Sequence, residues 1–324
     1  MEIGSKDEII SAIEKHDSIV VFHHIRPDGD CLGSQAGLYE LIKDNYPNKK
    51  VYKIGNSYDN FKFLDFSFNK EEEIDFTNSL ALVPDVSAFD RIENSELFAS
   101  SKFKSRARID HHEVGQNPLY EYSWVIPEYV AAAEMVAELA FYANWKISLK
   151  AAQYIYLGIT TDSSRFLHSP ERSNPLRLGA KLMDLGFDPS VLYFNLYKKT
   201  MDDLKFQGYV LTNFKKEGKV LYLDLYNNIW EKFNLSRSQA ANFVNSLANI
   251  DENLVWVFFI EEENQIRARI RSNGPAVNLI ASKYTGGGHK FAAGASICTQ
   301  EQKQNLISEL NQAIEEYLKT QANK

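Results

Sequence analysis

Ser18-Ile19-Val20-Val21-Phe22-His23-His24-Ile25-Arg26-Pro27-Asp28-Gly29-Asp30 opens as a short apolar, β-branched run and breaks into polar, proline and glycine residues. Over residues 31–44 the apolar spacing becomes helical, so the segment reads as strand, loop and helix, the first unit of an α/β layer. Further strands are expected over 50–53, 80–85 and 106–110, and helices over 129–143 and 148–159. In an open parallel sheet, ligands gather beyond the carboxyl ends of the strands, where His24, Asp85 and Asp110 would each emerge.

After Pro189 the pattern changes. Residues 191–214 read as a helical connector, and 219–225 and 254–260 as strands, each with a hairpin partner across a polar turn, at Glu217-Gly218 and at Glu262-Glu263-Asn264. Helices over 236–247, 276–284 and 301–318 would cover this second sheet. The expected fold class is α/β in two domains: a parallel-sheet domain over 1–190 and a smaller mixed-sheet domain over 211–324, joined by a helical linker over 191–210.

A chain of 324 residues with 44% hydrophobic content has material for two cores. Its net charge of −7 argues against a long duplex nucleic acid as ligand, because phosphate-backbone binding needs a basic face, but it leaves room for a short strand or a small phosphonucleotide. No run of roughly eighteen apolar residues occurs, so no membrane span is expected. The first residues lack a basic-then-apolar leader pattern, and a cytoplasmic location is expected. The two cysteines, Cys31 and Cys298, fit no metal or redox spacing, and buried packing is expected for both.

His24, Asp28 and Asp30 straddle a turn that Pro27 stiffens and Gly29 loosens, so all three side chains can share one space. Asp85 ends an apolar run, Asp110-His111-His112 ends another, and Asp162 follows a helix-like stretch. Singly, an Asp-Gly-Asp is a surface turn and an Asp after a strand is a helix cap. Their co-occurrence at successive strand ends is what turns carboxylates and imidazoles toward a cation cluster: crowded without metal they would repel, and two divalent cations remove the repulsion. Two cations about 3.5–4 Å apart can present hydroxide to a phosphorus atom. Farther on, Arg267, Arg269 and Arg271 alternate on one face of a strand. Gly286-Gly287-Gly288-His289 would let backbone amides approach an anion.

These fragments resemble the ordered motifs of the DHH phosphoesterase superfamily: His24-x-x-Pro27-Asp28-x-Asp30, Asp85-Val86-Ser87, Asp110-His111-His112 and Gly158-Ile159-x-Thr161-Asp162. Arg271-Ser272, Gly287-Gly288-His289 and Ala292-Ala293-Gly294 resemble the DHH-associated C-terminal domain. Thr285 stands where a first glycine is common, and Ser163-Ser164 where Thr-Gly is frequent. The resemblance implies that His24, Asp28 and Asp85 hold one manganese and Asp30, Asp85, His111 and Asp162 the other, with Asp85 bridging. It implies that His112 faces the substrate phosphate and that Asp110 orients an imidazole. Arg271, Ser272, Gly287, Gly288 and His289, with Arg165, would contact substrate, and a homodimer is implied.

The function expected from this resemblance is attack of a metal-bridged hydroxide on phosphorus. The substrates would be short oligoribonucleotides, cleaved to mononucleotides, and 3′-phosphoadenosine 5′-phosphate (pAp), cleaved to AMP. The nanoRNase/pAp phosphatase group is the nearest. A pyrophosphatase or exopolyphosphatase using the same metals stays open, as does a nucleotide-sensing module, whose mark would be a lost metal ligand.

Overall fold

The computed structural model describes residues 2–56, 61, 63–64, 66–167 and 173–322. The chain divides into two compact units, Met1–Tyr197 and Lys198–Lys324. The first unit runs β1 Ile3–Gly4, α1 Lys6–Lys15, β2 Ser18–Val21, α2 Gly29–Asn45, β3 Lys50–Lys53, β4 Ser79–Pro84, α3 Ser95–Ala99, β5 Ser105–Asp110, β6 Tyr122–Val125, α4 Ala132–Tyr142, α5 Leu149–Asp162, α6 Asn174–Met183 and α7 Pro189–Tyr197. Its six-stranded sheet has the order β1-β6-β5-β4-β2-β3. All neighbours are parallel except the short β1, which pairs antiparallel with β6.

Both faces of this sheet are covered, which explains why its strands read as unbroken apolar runs. Ile19, Val21, Leu80, Leu82 and Ile109 pack on one side with Leu38, Ile155 and Leu157 of α2 and α5. Val20, Phe22, Ala81 and Val83 pack on the other with Phe98 and Phe103. The strands β1 and β6 and the helices α1 and α6 were not foreseen; β6 carries Ser123 between Tyr122 and Trp124, too short a run for periodicity to register.

Helices α2 and α5 cross with almost no side-chain spacer. A Cβ on Gly33 would stand 2.4 Å from the Tyr154 carbonyl oxygen, and one on Gly158 2.4 Å from the Ala133 Cβ. This close crossing sets the amino end of α2 beside the carboxyl end of α5. The second helix was expected to stop at residue 159 but runs to Asp162, because packing against α2 outweighs the weak propensity of Thr160 and Thr161.

The expected single connector over 191–214 is two helices. Thr200 and Asp203 form a reciprocal capping box that starts a new helix, α8 Met201–Asn213, whose Phe206 and Val210 are buried in the second unit. There follow β7 Lys215–Glu217, β8 Val220–Leu225, α9 Arg237–Ala241, β9 Val255–Glu261, β10 Ile266–Ser272, α10 Asn278–Ser282, β11 Gly287–His289, β12 Ala292–Ile297 and α11 Gln300–Ala322. The sheet order is β11-β12-β10-β9-β8-β7, mixed, with only the β8–β9 pair parallel. Val257 and Ile270 meet Leu306 and Leu310 of α11 on one face, and Leu223 and Phe258 meet Phe206 on the other.

Candidate metal centre

Four segments end at the carboxyl edge of the first sheet and supply the cluster. Beyond β2 the chain turns through Arg26, at φ 56°, and Asp28 caps α2, its Oδ1 accepting from the Cys31 amide at 3.0 Å. The other oxygen of Asp28 lies 3.9 Å from His24 Nε2. Asp85, one residue past β4, adopts φ 60°, a left-handed conformation that an aspartate tolerates better than most residues. Its two oxygens point at two imidazoles: Oδ2 is 3.5 Å from His24 Nε2 and Oδ1 is 3.3 Å from His111 Nε2. His111 Nε2 also lies 3.7 Å from Asp30 Oδ2 and 3.6 Å from Asp162 Oδ2.

Each of those two imidazoles has its orientation set from behind. His24 Nδ1 bonds the Ile25 carbonyl at 2.9 Å and His111 Nδ1 the Tyr129 carbonyl at 3.2 Å. A carbonyl only accepts, so Nδ1 carries the hydrogen and the neutral ring offers its Nε2 lone pair to a cation. Asp30 is buried, and its two oxygens accept from the Ala132 and Ala133 amides at 2.7 and 2.8 Å, which are the first amides of α4. The sequence carried one trace of this contact: Ala131 stands at the N-cap of α4, where a polar capping side chain would be normal.

The Asp110 carboxylate is buried and accepts from His112 Nδ1 at 2.7 Å and from the His112 amide at 3.2 Å. Such a pair holds the ring in one orientation.

Burial and crowding shift the carboxylates of this cluster in opposite directions. Burial first, and then the charges of Asp28 and Asp85 against the pull of His111, raise Asp162 to about 7. Burial and the charges of Asp85 and Asp162 hold Asp30 well above the carboxylate range. Burial also opposes charge on Asp85, but His111 and His24, whose affinity for a second ring proton this carboxylate raises, donate to it in their protonated form and hold Asp85 well below the usual carboxylate range. Carboxylates and imidazoles at these spacings suit divalent cations, and Asp85, His111 and His112, like Asp30, His111 and Asp162, each bring ligand atoms within 4.8 Å of one another.

Protons would compete with any cation that these carboxylates hold. Because Asp162 binds its proton up to about 7, divalent-cation affinity is expected to fall as pH drops below that value, by up to about tenfold per unit for each proton displaced. Calorimetric titration in buffers of different ionisation enthalpy reads the released protons; an affinity indifferent to pH between about 6 and 8 would contradict this account.

The remaining expected site residues are placed as follows. Ser164, Arg165 and Phe166 follow α5 in three successive left-handed conformations, at φ 49°, 64° and 65°. The Arg165 guanidinium lies over the Tyr197 ring, 5.0 Å from its centroid. In the second unit, Arg271 is held down to about 10 by burial and then by Arg269, and its Nη1 donates to its neighbour's carbonyl, that of Ile270, at 2.9 Å. The Ser272 hydroxyl is buried and committed to a turn, donating to the Pro275 carbonyl at 2.8 Å and accepting from the Gly274 amide at 3.0 Å.

Gly287, Gly288 and His289 form the edge strand β11, paired on one side with β12. Glycine is needed because the chains pass closely: a Cβ on Gly286 would meet the Gly294 carbonyl oxygen at 2.1 Å, and Gly288 has φ 133°. Of His289 the structure describes the backbone alone.

A parallel α/β sheet whose carboxyl edge gathers four aspartates and two oriented imidazoles defines a class, the phosphoesterases that depend on divalent cations. Residues 18–159 match the DHH family, N-terminal domain, and residues 217–316 the DHHA1 domain. The chain belongs to the DHH family. It is 41% identical to the bifunctional oligoribonuclease and PAP phosphatase NrnA of Mycoplasma genitalium, over 95% of this chain and 98% of that one. It is 33% identical to the protein of the same name from Bacillus subtilis, over 96% and 99%. Among solved structures, an exopolyphosphatase-related protein from Bacteroides fragilis superposes with a TM-score of 0.82 at 26% identity, covering 96% of both chains. No described helix is long and apolar enough to cross a membrane.

Proposed function

We propose that the protein hydrolyses short oligoribonucleotides to mononucleotides and pAp to AMP, with two manganese ions as its resident cations. The observation that carries this reading is Asp85, whose two oxygens face His24 and His111 separately, as a ligand shared between two cations would. The relatives of 41% and 33% identity named for both activities support the choice of substrate.

His24, Asp28 and Asp85 would hold one ion, and Asp30, Asp85, His111 and Asp162 the other. When bound, such ions supply an activated water and withdraw charge from the phosphoryl oxygens. The chain supplies the rest. The α4 amides hold Asp30 in place, and the Ile25 and Tyr129 carbonyls keep His24 and His111 in the ligating tautomer. With Nδ1 of His112 tied to Asp110, the atom that can give a proton to the leaving oxygen is Nε2. A His112→Ala protein is expected to keep its metal content and lose roughly 10²–10³-fold in kcat; metal loss in step with activity would instead make His112 a ligand.

In the second unit, a half-buried arginine with no carboxylate bonded to it among the described residues suits a substrate phosphate. Arg271→Ala is expected to raise KM for pAp about tenfold with little change in kcat, the pattern of a lost binding contact.

A second reading, phosphoanhydride hydrolysis, is favoured by the likeness to the exopolyphosphatase-related protein. One assay separates the two. Metal-stripped protein is supplied with manganese and given pAp, di- to pentaribonucleotides, pyrophosphate and polyphosphate. AMP and mononucleotides support the proposal; phosphate from the inorganic substrates alone overturns it.

A further inference from the structure

Buried thiols generally pack as small apolar groups, and nothing in its spacing set Cys31 apart. Its position does. Cys31 occupies the first turn of α2, wholly buried, directly after Asp30. Its sulfur accepts from the His24 amide at 3.1 Å. Cys31 Sγ, a ring nitrogen of His24 and a carboxylate oxygen of Asp85 all lie within 4.8 Å of one another. Three ligands on one cation, at about 2.3 Å for sulfur and about 2.1 Å for nitrogen or oxygen, stand up to about 3.8 Å apart; His24 Nε2 and Asp85 Oδ2 are already 3.5 Å apart, so a shift of the sulfur by at most about 1 Å seats one ion among all three.

We propose that Cys31 Sγ is a further metal ligand, joining His24, Asp28 and Asp85 at one of the two cation positions. The inference rests on the assignment of those three residues as ligands and adds to it a soft donor. On coordination the sulfur gives a lone pair to the cation and the thiol proton passes to solvent. The two positions then differ in kind. The one at His24 has sulfur, nitrogen and oxygen donors and discriminates more strongly for zinc, cobalt or cadmium over manganese than the one at His111, which has nitrogen and oxygen donors only.

The second cysteine makes a clean test possible. Cys298 is exposed, not buried as expected, because it lies at the junction between β12 and α11 in the second unit. In Cys298→Ser protein every thiol signal therefore comes from Cys31. Metal-stripped Cys298→Ser protein loaded with cobalt is expected to show sulfur-to-cobalt charge-transfer absorption in the near ultraviolet. The same protein carrying Cys31→Ser as well is expected to lose that absorption while keeping the visible cobalt bands.

In parallel, the ratio of cadmium to manganese affinity is expected to fall roughly tenfold or more on Cys31→Ser. Full cobalt loading of the Cys298→Ser protein without the near-ultraviolet absorption overturns the sulfur ligand and leaves the aspartate–histidine centre standing. Failure to bind cobalt at all overturns both. The single Cys298→Ser protein reads the sulfur bond even where replacement of the buried Cys31 prevents folding.

Discussion

Asp85→Asn is expected to lose the shared cation ligand and to turn over pAp and short RNA at least roughly 10³-fold more slowly than the native protein, about 4 kcal/mol of barrier. Asparagine is the informative substitution. It keeps the volume of a buried side chain and tolerates the left-handed φ of 60° at this position, so the backbone past β4 is not disturbed. What changes is one atom: an oxygen that accepts becomes a nitrogen that donates, and only one of the two imidazoles retains its facing acceptor. Metal content after gel filtration and product release are the two readouts. An Asp85→Asn protein with native metal content and native turnover would remove the bridge from the proposed centre.

Gly158→Ala is expected to destabilise the first unit by about 3 kcal/mol and to release the cations with it. For a unit of this size that is a drop in Tm of roughly 6–12 °C. The added Cβ would stand 2.4 Å from the Ala133 Cβ and 2.9 Å from Asp30 Oδ1, the atom that accepts from the Ala133 amide. Relief requires α5 to back away from α2 and α4, which moves Asp162 and Asp30 apart. Gly208→Ala is the control: it lies in α8, nothing stands within 4 Å of its added Cβ, and it is expected to be stabilising by about 0.5–1 kcal/mol through helix propensity. Equal melting temperatures and metal contents for native and Gly158→Ala proteins would contradict the close-crossing account.

The sequence by itself determined the kind of each main element and the chemistry at its end. Apolar runs closed by Pro, Gly and Asp mark where parallel strands deliver polar side chains, and that information is local to a dozen residues around Val21, Pro84 and Asp110. It also held the six aspartate and histidine residues that the structure draws together, because ligand type and order along the chain need no knowledge of distance.

What only the tertiary structure decided are the relations between segments far apart in the chain. Asp30 is held by amides about a hundred residues away, at a helix start that has no polar cap of its own. Asp162 reaches the cluster on a helix that packing extends past its local propensity. The glycines before His289 run close against a neighbouring strand, and the Ser272 hydroxyl closes a turn. Cys31 looks like any buried thiol until the fold sets it beside His24 and Asp85. The physical reason is common to all of these: hydrophobic periodicity is imposed by the nearest turn or strand, whereas hydrogen-bond partners and ligand sets are imposed by whichever surface the folded chain brings within a few ångströms.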